Sequence, residues 1–299
     1  MNINLNNFRT ENLVISFCNK KYLFFLKNWL LWIAPYENYS IIIFALDKSI
    51  YKYCIDSNIQ VIDVSNYYKK VNSEIWELRL NVFKDLIDQN ITFIHSDLDA
   101  IWISNPINLF NEETSFQFSQ GTIWPIEIFE KFKFVLCAGL VKIVPSEFSK
   151  KVLNYTISNF KYYKNKVDDQ ITLNFALNKF STWNTKNVAA NYIEFKGNEV
   201  KTFKNNFYTV NENEILLLPH QSVSRITKNI NISKSIIVHP IDGERILFLK
   251  LLYFKKLKLV NKALKIEFYL YLIKNIIKFP FFVFFKLVNK KTFSKNLKY

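Results

Sequence analysis

Phe93-Ile-His-Ser-Asp-Leu-Asp-Ala-Ile-Trp-Ile-Ser-Asn-Pro106 is the stretch on which the fold of this chain turns. Ile91–Ser96 (ITFIHS) has the length and apolar character of a buried strand, and it runs straight into Asp97-Leu98-Asp99. Side chains alternate along a strand with period two, so two carboxylates one residue apart project to the same side. Ligands of parallel sheets bind beyond the carboxyl ends of the strands, which is where this pair stands. Like charges so close are costly unless a cation or strong donors share the site. A hard divalent cation, Mn²⁺ or Mg²⁺, takes oxygen ligands and keeps positions open for phosphate oxygens. Alone, an Asp-x-Asp pair also reads as solvated loop acids or a helix cap.

The chain upstream alternates in a regular way. Apolar runs of strand length occur at Leu13–Cys18, Tyr39–Leu46 and Gln60–Val64. Between them lie helical patterns at Lys21–Ile33, after Asp47, and at Glu74–Asp88 with Ser73 in the N-cap position. Continuous apolar strands alternating with helices predict right-handed βαβ units and a parallel sheet covered on both faces. After Pro106 the pattern loosens. Strands are expected at Phe116–Ser119 and Val135–Val144, and helices at Ser146–Phe160, capped by Ser146, and at Asp168–Asn178. Short strands and polar loops follow from Trp183 to Val238. With no internal repeat and no Pro-, Gly- or Ser-rich linker, residues 1–245 read as one α/β domain.

Composition removes several classes. At 49% hydrophobic and 17% aromatic, the 299 residues are too apolar for a disordered chain. There are four glycines and neither GxGxxG nor GxxxxGK[ST], so dinucleotide and P-loop chemistry are not expected. Cys18, Cys54 and Cys137 are odd in number and far apart, which suggests no disulfide framework or zinc site and a reducing compartment. The first residues lack the plan of a signal peptide, and no window reaches the ~20 apolar residues of a spanning helix.

The formal charge of +15 is concentrated at one end. Residues 246–299 hold 13 Lys against Glu267 alone, while residues 1–245 hold 27 basic and 24 acidic residues. A nucleic-acid-binding protein would carry its basic surface on the folded body, so nucleic acid is not an expected partner. In the tail, Leu249, Leu252, Tyr253, Leu257, Val260, Leu264, Phe268, Ile273 and Ile277 recur at three- and four-residue spacing. Lys250, Lys255, Lys258, Lys262 and Lys265 populate much of the other face. That pattern predicts a basic amphipathic helix, ended or kinked at Pro280, with Phe281–Phe285 entering the interface of an anionic membrane. Packing of the same stretch on the body, with its Lys in water, is the alternative. The expected setting is the cytoplasm, peripherally on the inner face of the membrane.

Several short motifs occur in a fixed order between about residues 13 and 242. They are Asn28-Trp29-Leu30, Phe44-Ala45-Leu46-Asp47, Ser96–Pro106 (SDLDAIWISNP), Cys137-Ala138-Gly139-Leu140, Asp169-Gln170 followed by Asn174, Leu218-Pro219 and Val238-His239. This series resembles the nucleotide-diphospho-sugar transferases with the GT-A fold. The resemblance implies a Rossmann-type, mixed and mainly parallel sheet flanked by helices. It also implies a metal-dependent glycosyltransferase that moves a sugar from a nucleotide donor, most readily UDP-linked, to a polysaccharide, glycolipid or other lipid-linked acceptor. Asp97 would approach the ribose and the metal, Asp99 would ligate the metal, and His239 would add a late ligand or be a strand-end imidazole. Gly139 would let the backbone approach the donor sugar, and Gln170 would contact it. Asp169, with Asp168 as substitute, would lie nearest the reacting centre, and Arg79 would pair with the diphosphate. Cys137 departs from the pattern, standing where many relatives have a polar residue. His95 and His220 fit no motif and read as structural. Rival readings are a membrane- or nucleic-acid-binding protein acting through its tail, and a nucleotide-sugar hydrolase or phosphotransferase.

Overall fold

The structure, a computed structural model, describes residues 3–5, 7–70, 75–163, 168–183, 189–209, 214–227, 231–241 and 247–273. Ser73, the expected helix cap, and Ile277, Pro280 and Phe281–Phe285 of the expected tail helix and its membrane-facing end lie outside the described residues. Contacts divide the chain into two compact units, Met1–Ile241 and Asp242–Tyr299.

The first unit begins with the predicted alternation. β1 (Leu13–Cys18) leads to α1 (Leu23–Ile33), β2 (Ser40–Ala45), α2 (Lys48–Asp56), β3 (Val61–Asp63), α3 (Ser65–Lys70), α4 (Ile75–Asp88) and β4 (Phe93–Ser96). All six residues of β1 are buried, which is why its sequence shows no polar alternation. Asp47 starts α2 by accepting the Ile50 N–H at 3.0 Å. These four strands pair in parallel, in the order β3-β2-β1-β4.

The chain then adds β5 (Ile101–Trp102), β6 (Phe116–Gln120), α5 (Ile126–Phe132), β7 (Leu136–Ile143), α6 (Glu147–Tyr163) and α7 (Asp169–Phe180). After them come β8 (Ala190–Phe195), β9 (Asn198–Phe203), β10 (Phe207–Tyr208), β11 (Ile215–Leu217), β12 (Val223–Ser224) and β13 (Ile237–Val238). The eight-stranded sheet runs β10-β11-β6-β7-β4-β1-β2-β3. β7 is antiparallel to both neighbours, β4 and β6, and β10 is antiparallel to β11. The fold is thus mixed α/β with a mainly parallel sheet flanked by helices. Large apolar side chains such as Phe83, Phe93, Phe116, Phe134 and Phe160 fill one continuous core.

Two short pairings matter most for function. β7 lies beside β4 with Leu140 opposite Ser96, and the Asp97 N–H donates to the Gly139 carbonyl at 2.7 Å. A separate three-stranded sheet, β12-β13-β5, sets Val238 opposite Ile101, which brings His239 back to the segment after β4.

The second unit contains α8 (Leu247–Lys256), a 3-10 turn at Lys262–Leu264 and helical residues at 265–273. The single helix expected over this stretch is interrupted: Lys258 has a positive φ of 59°, and Asn261 caps a new turn by accepting the Ala263 N–H. No helix among the described residues is long and apolar enough to cross a membrane.

Candidate active site

β4 ends at Ser96, and the two acids stand in the turn that follows, closed by the Ala100 N–H donating to the Asp97 carbonyl at 2.9 Å. Convergence of Asp97 and Asp99 therefore comes from a turn, where period-two alternation along a strand was expected. The Trp102 indole N–H donates to Ser96 Oγ at 3.2 Å and fixes the far side of the turn. With His239 delivered by β13, ligand atoms of Asp97, Asp99 and His239 all lie within 4.8 Å of one another. His239 Nε2 is 3.3 Å from Asp99 Oδ1 and 3.7 Å from Asp97 Oδ2.

Two carboxylates and an imidazole suit a divalent cation of the Mn²⁺ or Mg²⁺ type. The surroundings are shaped to the three side chains. A Cβ on Gly139 would collide with His239 Cε1 and with the Asp97 carboxylate, whose Cγ would be 3.1 Å away. The glycine thus leaves room for the candidate ligands themselves.

The inner wall of the site is a buried ion network. Arg79, on α4 and 7% exposed, donates from Nη1 to Asp97 Oδ1 at 2.9 Å and from Nε to Asp169 Oδ2. Its guanidinium, expected to reach for a diphosphate, is used inside the protein. Burial pulls the Arg79 pKa down, and the charges of Asp169 and Asp97 more than reverse this, so the guanidinium stays charged. Burial likewise raises the Asp97 pKa, but Arg79 and then His95 outweigh it, and the carboxyl lies well below the usual carboxylate range. His95 Nε2 is 3.0 Å from Arg79 Nη1 and 3.2 Å from Asp97 Oδ1. Its pKa is lowered by burial and then by Arg79, so it is neutral at pH 7. Read as structural, His95 in fact touches the first acid. The signal lay in the sequence, because His95 and Asp97 are two residues apart at a strand end and share a face.

α7 forms a second wall. Asp168 caps it by accepting the Ile171 N–H at 2.9 Å, and Asp169, 1% exposed, accepts the Gln170 N–H while holding Arg79. Gln170 Oε1 accepts the Ala138 N–H at 3.4 Å, one residue from Gly139. Asn174 binds both the N–H and the carbonyl of Leu136 at 2.9 Å, which clamps α7 to β7. The Asp-Gln helix is therefore joined to the Asp97 side through Arg79 and to the Gly139 strand through amides.

The outer wall holds a residue that sequence reading missed. Arg225 donates from Nη1 to His239 Nδ1 at 2.8 Å, and its Nε is buried without a partner among the described residues. No motif marks it, because it reaches His239 only through the β12–β13 pairing. Cys137 is fully buried with Sγ 3.9 Å from His239 Nδ1. Burial raises its pKa, and Arg225 and His239 outweigh burial and lower it. The departure noted at Cys137 thus faces the candidate ligand His239. His220, the other histidine read as structural, lies off the cluster and accepts the Ile226 N–H.

WbbM, a bifunctional glycosyltransferase in its apo structure, superposes over 90% of this chain and 52% of its own, at 10% identity and a TM-score of 0.53. Apo GlyE of Streptococcus pneumoniae TIGR4 covers 77% of this chain and 54% of its own, at 12% identity and a TM-score of 0.46. An active-site mutant of LgtC covers 77% of this chain and 87% of its own, at 11% identity and a TM-score of 0.46. The chain spans about half the length of the GlyE and WbbM structures. No curated protein matches at the level of sequence. The profile of nucleotide-diphospho-sugar transferases matches residues 39–222, well over half the chain and inclusive of Arg79, Asp97, Asp99, Gly139 and Asp169. The chain belongs to the nucleotide-diphospho-sugar transferase family and has a GT-A-like α/β fold.

Proposed function

We propose that the protein is a divalent-metal-dependent enzyme that passes the sugar of a UDP-linked donor to a glycan or lipid-linked acceptor. The observation that carries this reading is the approach of Asp97, Asp99 and His239 ligand atoms to within 4.8 Å at the end of β4. Mn²⁺ or Mg²⁺ held there would act as a Lewis acid, offsetting charge on the departing diphosphate. Asp99 and His239 are assigned as ligands, and Asp97 as a ligand that also borders the ribose. Gly139 and Gln170 belong to the donor-sugar side. Asp169, with Asp168 beside it, belongs to the sugar end, where Asp169 also fixes Arg79. In transfer, the bond from the anomeric carbon to the diphosphate oxygen breaks and its electron pair leaves with the diphosphate. The acceptor hydroxyl oxygen forms the new bond to the anomeric carbon, and its proton passes to the released diphosphate or to water.

The test is a panel of nucleotide sugars, each incubated with Mn²⁺ and the protein and read by thermal stabilisation and sugar transfer to added acceptors. Stabilisation by a UDP-sugar that depends on Mn²⁺ is the expected result. Stabilisation unaffected by chelator overturns the metal role, and hydrolysis without transfer to any acceptor favours a hydrolase.

Residues 1–245 serve as the catalytic domain in this reading, and residues 246–299 as a membrane-surface element on the cytoplasmic side. The tail's 13 Lys and single acid support it, as do Ile266, Leu270 and Ile273, which are 79%, 63% and 53% exposed at helical spacing. Flotation with anionic liposomes should recover the full chain and fail with a chain ending at Glu244. Equal recovery of both overturns the anchor.

A further inference from the structure

A cavity of about 860 Å³ is lined by the β8–β9 hairpin together with His220, Gln221, Asn231 and Lys234. Its size is that of a small-ligand site, ~300–1,000 Å³, and leaves room for more than one sugar ring. Its walls carry amide, hydroxyl and imidazole groups from Asn191, Thr202, His220, Gln221 and Asn231, together with Tyr192, which is 59% exposed. Lys204 and Lys234 outnumber Glu194 on these walls, which leaves a small positive excess beside the neutral polar groups.

His220 is its built element. The residue is 3% exposed, and its Nε2 accepts the Ile226 N–H at 3.2 Å, which assigns the ring hydrogen to Nδ1. His220 is among the residues that line the cavity. Burial holds the His220 pKa down to about 4, so the ring is neutral at pH 7.

A short turn leads from His220 and Gln221, which line the cavity, into β12, and β12 pairs with β13, which leads to the candidate ligand His239. The N–H groups of Ser222 and Val223 both donate to the Pro219 carbonyl at 3.0 Å, and the His239 N–H donates to the Ser224 carbonyl at 2.9 Å. His220 belongs to this turn, and Arg225 follows β12, whose pairing with β13 brings it to His239. A ligand dense in hydroxyls needs many neutral donors and acceptors together with an aromatic surface for the C–H face of its rings.

We infer that this cavity is the acceptor subsite, binding an oligosaccharide segment of the glycan through the Asn191, Gln221 and His220 polar groups and the Tyr192 ring. The inference rests on the proposed glycan acceptor and assigns it a place. The experiment titrates the full chain with maltotetraose, cellotetraose and chitotetraose and with the matching disaccharides, following saturation-transfer NMR, and repeats this with Tyr192→Ala and Gln221→Ala. UDP with Mn²⁺ is titrated into the same wild-type sample. At least one tetrasaccharide should bind more tightly than its disaccharide, and Tyr192→Ala should weaken it about fivefold. Binding by none of the three, or binding unchanged in both variants, overturns the subsite. UDP–Mn²⁺ binding without saccharide binding sinks the subsite alone, whereas loss of both sinks the nucleotide-sugar reading as well.

Discussion

Asp97 and Asp99 are separated by one residue, yet their surroundings differ in kind. One oxygen of Asp97 is held from inside by Arg79 and His95, both buried, with Asp169 behind them. Asp99 pairs across the cluster with His239, which Arg225 touches from the other side. The inner side is locked by one buried cation held between two carboxylates. The outer side is made of groups whose pairing a cation would change. Rigidity and response are thus divided between two neighbouring acids.

The largest effect should come from breaking the inner side. Arg79→Ala leaves Asp97 and buried Asp169 without their cation, and losing one partner of a buried ion pair costs about 3–5 kcal/mol. Denaturant unfolding measures it, and a loss below ~1 kcal/mol would place the network outside the stability core. Asp99→Ala tests the other side. It should leave unfolding within ~1 kcal/mol of wild type while Mn²⁺-dependent sugar transfer drops by more than ~100-fold, beyond what indirect partners of a metal contribute. An Asp99→Ala enzyme with near-wild-type turnover would remove the contrast altogether.

Legibility in the sequence follows the same division. β1 matches its expected span, and β4, β7, α4 and α7 fall within a few residues of theirs, because local apolar runs and caps specify them. Asp97, Asp99 and His239 were singled out together only through the order of short motifs, and period two gave the wrong reason for the convergence of the two acids. β5 was not foreseen, since two residues carry no period, yet its pairing with β13 is what returns His239. Arg79 was legible as a site residue but not as a buried one. Its partner Asp169 lies 90 residues away, and no local pattern encodes that distance. Arg225 was invisible for the same reason.

That residue gives a sharper test of the outer side. While Arg225 donates to Nδ1, the His239 hydrogen sits on Nε2 and points at the carboxylates, whereas a metal needs the Nε2 lone pair. Arg225 therefore opposes binding of the bare ion. Arg225→Ala should tighten Mn²⁺ binding in the absence of nucleotide by up to ~10-fold, read by calorimetry. Weaker Mn²⁺ binding would instead make Arg225 a support of the site.

The smallest effect concerns acid, and it returns to Asp97. Its carboxyl lies below the ordinary range because Arg79 and His95 outweigh burial. A depressed carboxylate contributes stability that is complete above its unfolded value, near ~3.9, and is lost as pH falls toward the folded value. Asp97→Asn removes that titration and keeps the side chain's shape. The gap in Tm between wild type and Asp97→Asn should be constant from about pH 7 to 5 and should shrink below about pH 4. Because Asp97 is one third exposed, solvent screens the pairing, and the whole gap should not exceed ~2–4 °C. Melting curves in chelator from pH 3 to 7 measure it. A gap that stays constant down to pH 3 would mean that Arg79 holds Asp97 in place without holding its charge, and the inner side would then be defined by packing.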